Sequence, residues 1–177
     1  MTDPASAEVS DADRRSLALW AADCAERALP LFESASPDDD RVRRAIDGAR
    51  AFGMDGNCTR GLRALCWAAH ACVHSVAAEP ARSAAARAAA HAVAIPHLGT
   101  AENPSEAKQI LSPALYAAYA LELAAANGPA VGDAEIRWAI GRASPAVGDV
   151  LRRTPVTKLG CSRVDIMLRT LEIGLRR

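Results

Sequence analysis

Alanine fills eleven of the eighteen positions between Ala77 and Ala94, and this segment constrains the fold more than any other. Alanine has the highest helix propensity of any residue, so the segment predicts a helix. Pro80 suits the first turn of such a helix, and Pro96 ends or kinks it. Because alanine side chains are small, neighbouring helices approach closely, and the bulk of the core must come from larger residues elsewhere.

The preceding segment, residues 59–76, places apolar residues at the helical spacing i, i+3, i+4 and i+7. Thr59 is a suitable N-cap. Because Trp67 adds apolar surface to the opposite face, we expect this helix to be buried on most sides, with Leu65 and Val73 in the core. The two segments together predict a central histidine- and alanine-rich helix pair, and the stretch from Leu62 to Leu98 holds all four histidines, His70, His74, His91 and His97.

The other apolar patterns also have the helical period, and no alternating β-branched run predicts a strand. Six further helix starts are predicted: after Ser10, and at Ser36-Pro37, Asn103-Pro104, Asp133, Ser144-Pro145 and Ser162. Pro30 is expected to bend or end the first helix, and Pro113 is expected to kink or split another. We therefore predict an all-α fold of seven to eight helices.

The predicted domain organisation is simple. A chain of 177 residues is most often one domain. We expect a flexible N-terminal tail over residues 1–10, which are mostly polar, and a single compact helical domain over residues 11–177.

The charge balance excludes some classes of protein. The 21 basic and 21 acidic residues cancel, which argues against a nucleic-acid binder that relies on phosphate neutralisation. No apolar run reaches membrane-spanning length, and no secretory signal precedes residue 13. Five irregularly spaced cysteines fit reduced thiols in the cytoplasm better than a disulfide framework. No pattern sets an oligomeric state.

The histidines are the main candidates for chemistry. Cys66, His70 and His74 recur every four residues along one side of a helix, so a zinc site is one hypothesis. The segment has no glutamate between its histidines, and therefore lacks the metalloprotease motif. A polar cluster of Asp23, His70, His91 and His97 is a second hypothesis, and hydrogen bonding across helix interfaces is the structural alternative. Without a phosphate-binding loop or nucleophile elbow, we expect no cofactor and assign no catalytic residue.

Two surface segments are candidates for partner binding. The acids Asp38, Asp39 and Asp40, followed by Arg41, are suited to a basic partner, although their structural alternative is to cap the helix that follows. Arg137 and Trp138 are residue types that often anchor protein interfaces, although a tryptophan at a helix boundary more often packs into the core.

Several stretches occur in an order that matches a known family, over roughly residues 15–177. They are Leu19–Glu26 with Leu29–Glu33, Asp38–Arg41 with Ala45 and Ile46, Ala68–His70, His91–Ala94 with His97, Ile110–Leu111, Tyr116–Leu123, and Val131–Ala139 through Ser144–Val147 to Leu151–Arg152. In these stretches the chain resembles the all-helical bacterial immunity proteins of polymorphic toxin systems.

The resemblance implies a stoichiometric inhibitor that binds a cognate toxin and blocks it, with no active site of its own. Two other classes stay open: an enzyme or metal-dependent protein that uses the histidine region, and a general helical scaffold. A toxin gene beside this one favours the first class, and bound metal favours the second.

Overall fold

The computed structural model describes residues 8–126 and 128–177, and within them the chain is all-helical, as predicted. The backbone contact of strand type there is an isolated antiparallel bridge between Glu8 and Thr100. The described residues form nine α-helices and one turn of 3-10 helix, Ile95–His97, rather than seven to eight helices. The helices are α1 Asp11–Glu26, α2 Leu29–Glu33, α3 Arg41–Asp55, α4 Arg60–Ser75, α5 Pro80–Ala94, α6 Pro104–Ala124, α7 Pro129–Arg142, α8 Pro145–Arg153 and α9 Arg163–Arg176.

The additional helix is α2, which has five residues. Pro30 lies in its first turn, where a missing backbone N–H leaves no hydrogen bond unmade, so the proline opens a helix after α1 has ended. Pro113 does not split its helix into two. It lies inside α6, which continues through it as one helix of 21 residues.

Helix α5 lies at the centre of the described fold. It buries eight residues, Ala84, Ala85, Ala86, Ala88, Ala89, Ala90, Ala92 and Val93, against helices on several sides. It packs most extensively on α4 and α6, and also on α1 and α3. The larger core residues come from those neighbours, among them Leu17, Ile46, Ile110, Leu111 and Leu115.

Helix α4 is not a second central helix, which corrects the predicted pair. Val73 is buried as expected, but Leu65 is only partly buried at the edge of the core. Trp67 projects from the opposite side with 75% of its surface exposed. The apolar stripe of α4 therefore faces α5, and its other side faces solvent.

Helix boundaries differ from prediction at two starts. α3 begins at Arg41 rather than Pro37, and Asp39 rather than Ser36 binds its first turn, accepting the Arg41 backbone N–H at 3.2 Å. α7 begins at Pro129, four residues before Asp133. The predicted start of α9 is confirmed, because Ser162 caps it and Asp165 completes a capping box.

The close approach of α1 and α3 depends on Gly53. A Cβ atom there would lie 2.5 Å from Leu19 Cγ, so a larger residue would push the helices apart. α3 continues past Gly53 to Asp55. Gly56 then ends it with a φ of +76°, a conformation that glycine adopts without strain.

Residues 1–7 of the predicted flexible tail lie outside the described residues. The last three residues of that tail are described and held in place: Val9 is fully buried, and Ser10 caps α1 by accepting the Asp13 backbone N–H. None of the helices in the described ranges is long and apolar enough to cross a membrane.

The packing around α5 leads to a stability prediction. Ala89→Leu adds three heavy atoms where Ala89 has no exposed surface, so we expect it to lower the free energy of unfolding by roughly 1–3 kcal/mol. The matched control, Ala71→Leu, makes the same change at an exposed site on α4 and should shift stability by no more than about 0.5 kcal/mol. Urea denaturation measures both, and equal effects would contradict a close-packed α5.

Candidate partner-binding surface

The acidic segment before α3 is largely neutralised by its own neighbours. The Asp39 carboxylate accepts two hydrogen bonds from the Arg41 guanidinium, at 2.8 and 2.6 Å, and these hold the pKa of Asp39 below its ordinary value. Asp40 lies 3.9 Å from Arg44 in a weaker, exposed pair. Asp38 is exposed and has no ion-pair partner among the described residues. The segment thus presents one free carboxylate and two that face arginines.

Arg137 and Trp138, the second predicted binding segment, lie in different environments. Arg137 is exposed on α7. Trp138 is half-buried, and the guanidinium carbon of Arg27 lies 4.3 Å from its ring centroid, within range of a cation–π interaction. Arg27 also donates two hydrogen bonds to Glu135, which fixes it over the indole. Trp138 therefore helps to join α1 to α7, while Arg137 stays available.

The four residues of the predicted polar cluster do not meet. Asp23 lies on α1, 3.1 Å from Arg50 and 2.9 Å from Arg142, so it ties α1 to α3 and α7. His97 lies beside Cys58, on a different part of the surface. His70 and His91 do come together, with ring centroids 6.1 Å apart and nearly perpendicular planes.

His91 is part of an aromatic stack between α5 and α6. Its ring lies parallel to that of Tyr116 with centroids 5.5 Å apart, and the Arg87 guanidinium carbon lies 5.1 Å from the same tyrosine ring. Burial, together with the positive charges of His70, Arg87 and Lys108, lowers the pKa of His91 to about 4. The imidazole is therefore neutral at pH 7.

The proposed zinc ligands are held in different ways. Cys66 donates to the Ala90 carbonyl at 3.7 Å, His70 packs against His91, and His74 is exposed. In the part of the chain that the structure describes, no three histidine, cysteine, aspartate or glutamate side chains are grouped so that they could hold a metal ion.

The feature that sequence reasoning missed is the solvent side of α4, here called the α4 outer face. It consists of exposed residues spaced three or four apart: Arg60, Arg63, Ala64, Trp67, Ala71 and His74. Trp67 has the largest exposed fraction, 75%, of the large hydrophobic residues that the structure describes as exposed. The sequence signal for the exposure of Trp67 lies in the residues four positions before and after it, Arg63 and Ala71. They are polar or small, and they offer the indole no apolar partner.

The α4 outer face is also electropositive. Helix α4 contains no acidic residue. Within residues 8–126 and 128–177, neither Arg60 nor Arg63 lies within ion-pair distance of a carboxylate, whereas Arg41, Arg43 and Arg44 on α3 are all paired. An exposed tryptophan beside unpaired arginines is the composition typical of binding hot spots.

The comparisons with known proteins agree with the resemblance noted in the sequence. A family model described as Imm-5 like putative immunity protein matches residues 7–146, which extend from just before α1 to the first turn of α8. The α4 outer face lies within the matched part. No curated protein and no solved structure matches the chain.

The neutral state of His91 predicts a pH dependence of stability. Above pH 6.5, its ordinary pKa, the imidazole is neutral in both the folded and unfolded chains. Below it the unfolded chain binds a proton that the folded chain refuses until about pH 4, so acidification favours unfolding. We expect a loss of up to about 3 kcal/mol between these values, measured by urea denaturation across the pH range.

His91→Phe keeps the stack on Tyr116 and removes the titration, so it should flatten that loss. His74→Gln, at an exposed position on α4, is the control and should leave the loss unchanged. Superimposable pH profiles for the wild type and His91→Phe would contradict the assignment.

Proposed function

Because the chain belongs to this immunity-protein family, we propose that it binds a cognate bacterial toxin and neutralises it by protein–protein interaction, without turnover. The family match is the observation that carries the proposal. The protein acts in the cytoplasm, and its five unbridged cysteines support that location. An enzyme that uses the histidine region is less well supported, because the fold separates Asp23 and His97 from the His70–His91 pair.

The α4 outer face is the proposed contact surface. Trp67 exposes apolar area that water solvates poorly, and burying it in an interface is favourable. Arg60 and Arg63 make no ion pairs in the described chain, so both guanidinium groups are available to carboxylates of a partner. The surface therefore fits an acidic patch on the toxin, and opposite charges accelerate such an encounter.

The alternative surface is the segment Asp38–Arg41 together with Arg137 and Trp138, facing a basic toxin. Its carboxylates are less available, since Asp39 and Asp40 already face Arg41 and Arg44. The two surfaces demand opposite charges on the toxin, and the same assay separates them.

The first experiment co-expresses the protein in bacteria with its proposed cognate toxin, which is sought among the genes adjacent to this one. Trp67→Ala should weaken binding by at least about 2 kcal/mol, roughly 30-fold in Kd, because it removes the large side chain that the interface would bury. Ile173→Ala, which truncates another half-exposed apolar residue on α9, is the matched control and should leave Kd unchanged. Calorimetric titration gives Kd, and survival of the toxin-expressing cells gives protection.

Charge reversal tests the sign of the interaction. Arg63→Glu should slow association and reduce its salt dependence, because a steering charge is lost, whereas Lys158→Glu in the exposed loop after α8 should do neither. Asp38→Asn with Asp40→Asn leaves the Asp39–Arg41 pair intact. If that double variant abolishes protection and the α4 variants do not, the binding surface lies at the acidic segment. If the wild-type protein does not bind the toxin at all, the proposed function itself fails.

A further inference from the structure

The loop before α4 places a thiol beside an imidazole. Cys58 is exposed, and its Sγ lies 3.8 Å from Nδ1 of His97, which ends the 3-10 turn after α5. The two residues are 39 positions apart in the sequence, so the tertiary fold creates the pair. With the ring proton on Nε2, Nδ1 is free to accept the thiol proton.

The surroundings keep His97 in the form that accepts a proton. Partial burial and the positive charge of Arg63 both lower its pKa, so the ring is neutral at pH 7. Arg63 projects from α4, and its positive charge disfavours protonation of the His97 ring.

The other four cysteines lack this arrangement. Cys24 and Cys72 are buried and Cys66 is half-buried, and burial raises the pKa of all three thiols. Cys161 is exposed like Cys58, but it has no histidine within hydrogen-bond distance in the described residues. Cys161 is therefore the internal control for exposure without an adjacent base.

We propose that Cys58 is an activated thiol and the site at which low-molecular-weight disulfides form a mixed disulfide with this protein. His97 accepts the Cys58 proton, and the thiolate attacks one sulfur of the disulfide. A new S–S bond forms to Cys58, the old S–S bond breaks, and the departing thiolate takes the proton from His97. The incoming disulfide is the only oxidant required. The proposal is independent of toxin binding.

The experiment follows the reaction of the native protein with 5,5′-dithiobis(2-nitrobenzoate), which releases a coloured thiolate. At pH 7 the fastest phase of colour release should disappear in Cys58→Ser and persist in Cys161→Ser. We expect Cys58 to react about tenfold or more faster than Cys161. Glutathione disulfide should then add one glutathione to the wild type and to Cys161→Ser, but none to Cys58→Ser, as judged by intact mass.

His97→Gln separates base assistance from exposure. It should slow the Cys58 phase about tenfold at pH 7, and the difference should vanish near pH 10, where thiols ionise without a base. A merely structural role for His97 would leave a deficit at every pH. Cys161→Ser reports the rate of Cys58, and Cys58→Ser reports the rate of Cys161. Equal rates in these two variants would overturn the proposal, whether or not His97→Gln folds.

Discussion

The packing of small side chains along α5 is the constraint on which the rest of the structure depends. Eight of its residues are buried, and seven of them are alanines, so the helix supplies a surface for its neighbours rather than bulk. Helices on either side must therefore approach closely and bring the large residues with them. The apolar stripe of α4 that packs on α5 is narrow. The other side of α4, including Trp67, therefore has no packing partner among the described residues.

Electrostatic contacts complete the assembly at the rim of that core. Asp23 joins three helices through Arg50 and Arg142, and the buried carboxylate of Glu122 accepts hydrogen bonds from Arg163 that tie α6 to the start of α9. These pairs occupy charges that would otherwise be free to bind a partner. The α4 outer face lies apart from them, which is why its arginines remain available and why it differs from the acidic segment before α3.

Local patterns predicted the helices well because caps, prolines and apolar period act over a few residues, as at Ser162 and Pro80. They failed where the environment of a residue depends on residues far away in the sequence. The apolar period of α4 gave the side that faces the core, but not whether any helix covers the other side, so the sequence predicts a helix buried on most sides where Trp67 is exposed. The separation of Asp23 from His91 likewise depends on how whole helices pack, which no local spacing encodes. The family resemblance, read from ordered stretches, was confirmed by the match over residues 7–146.

The central claim is that this protein works by presenting the α4 outer face to a toxin. Hydrogen–deuterium exchange of the protein, alone and in a one-to-one complex with its proposed cognate toxin, tests that claim most directly. Our account predicts slower exchange of backbone amides in residues 58–75 on binding, with α8 and α9 unchanged. Protection confined to residues 36–44 or to α7, with α4 exchanging as in the free protein, would contradict it.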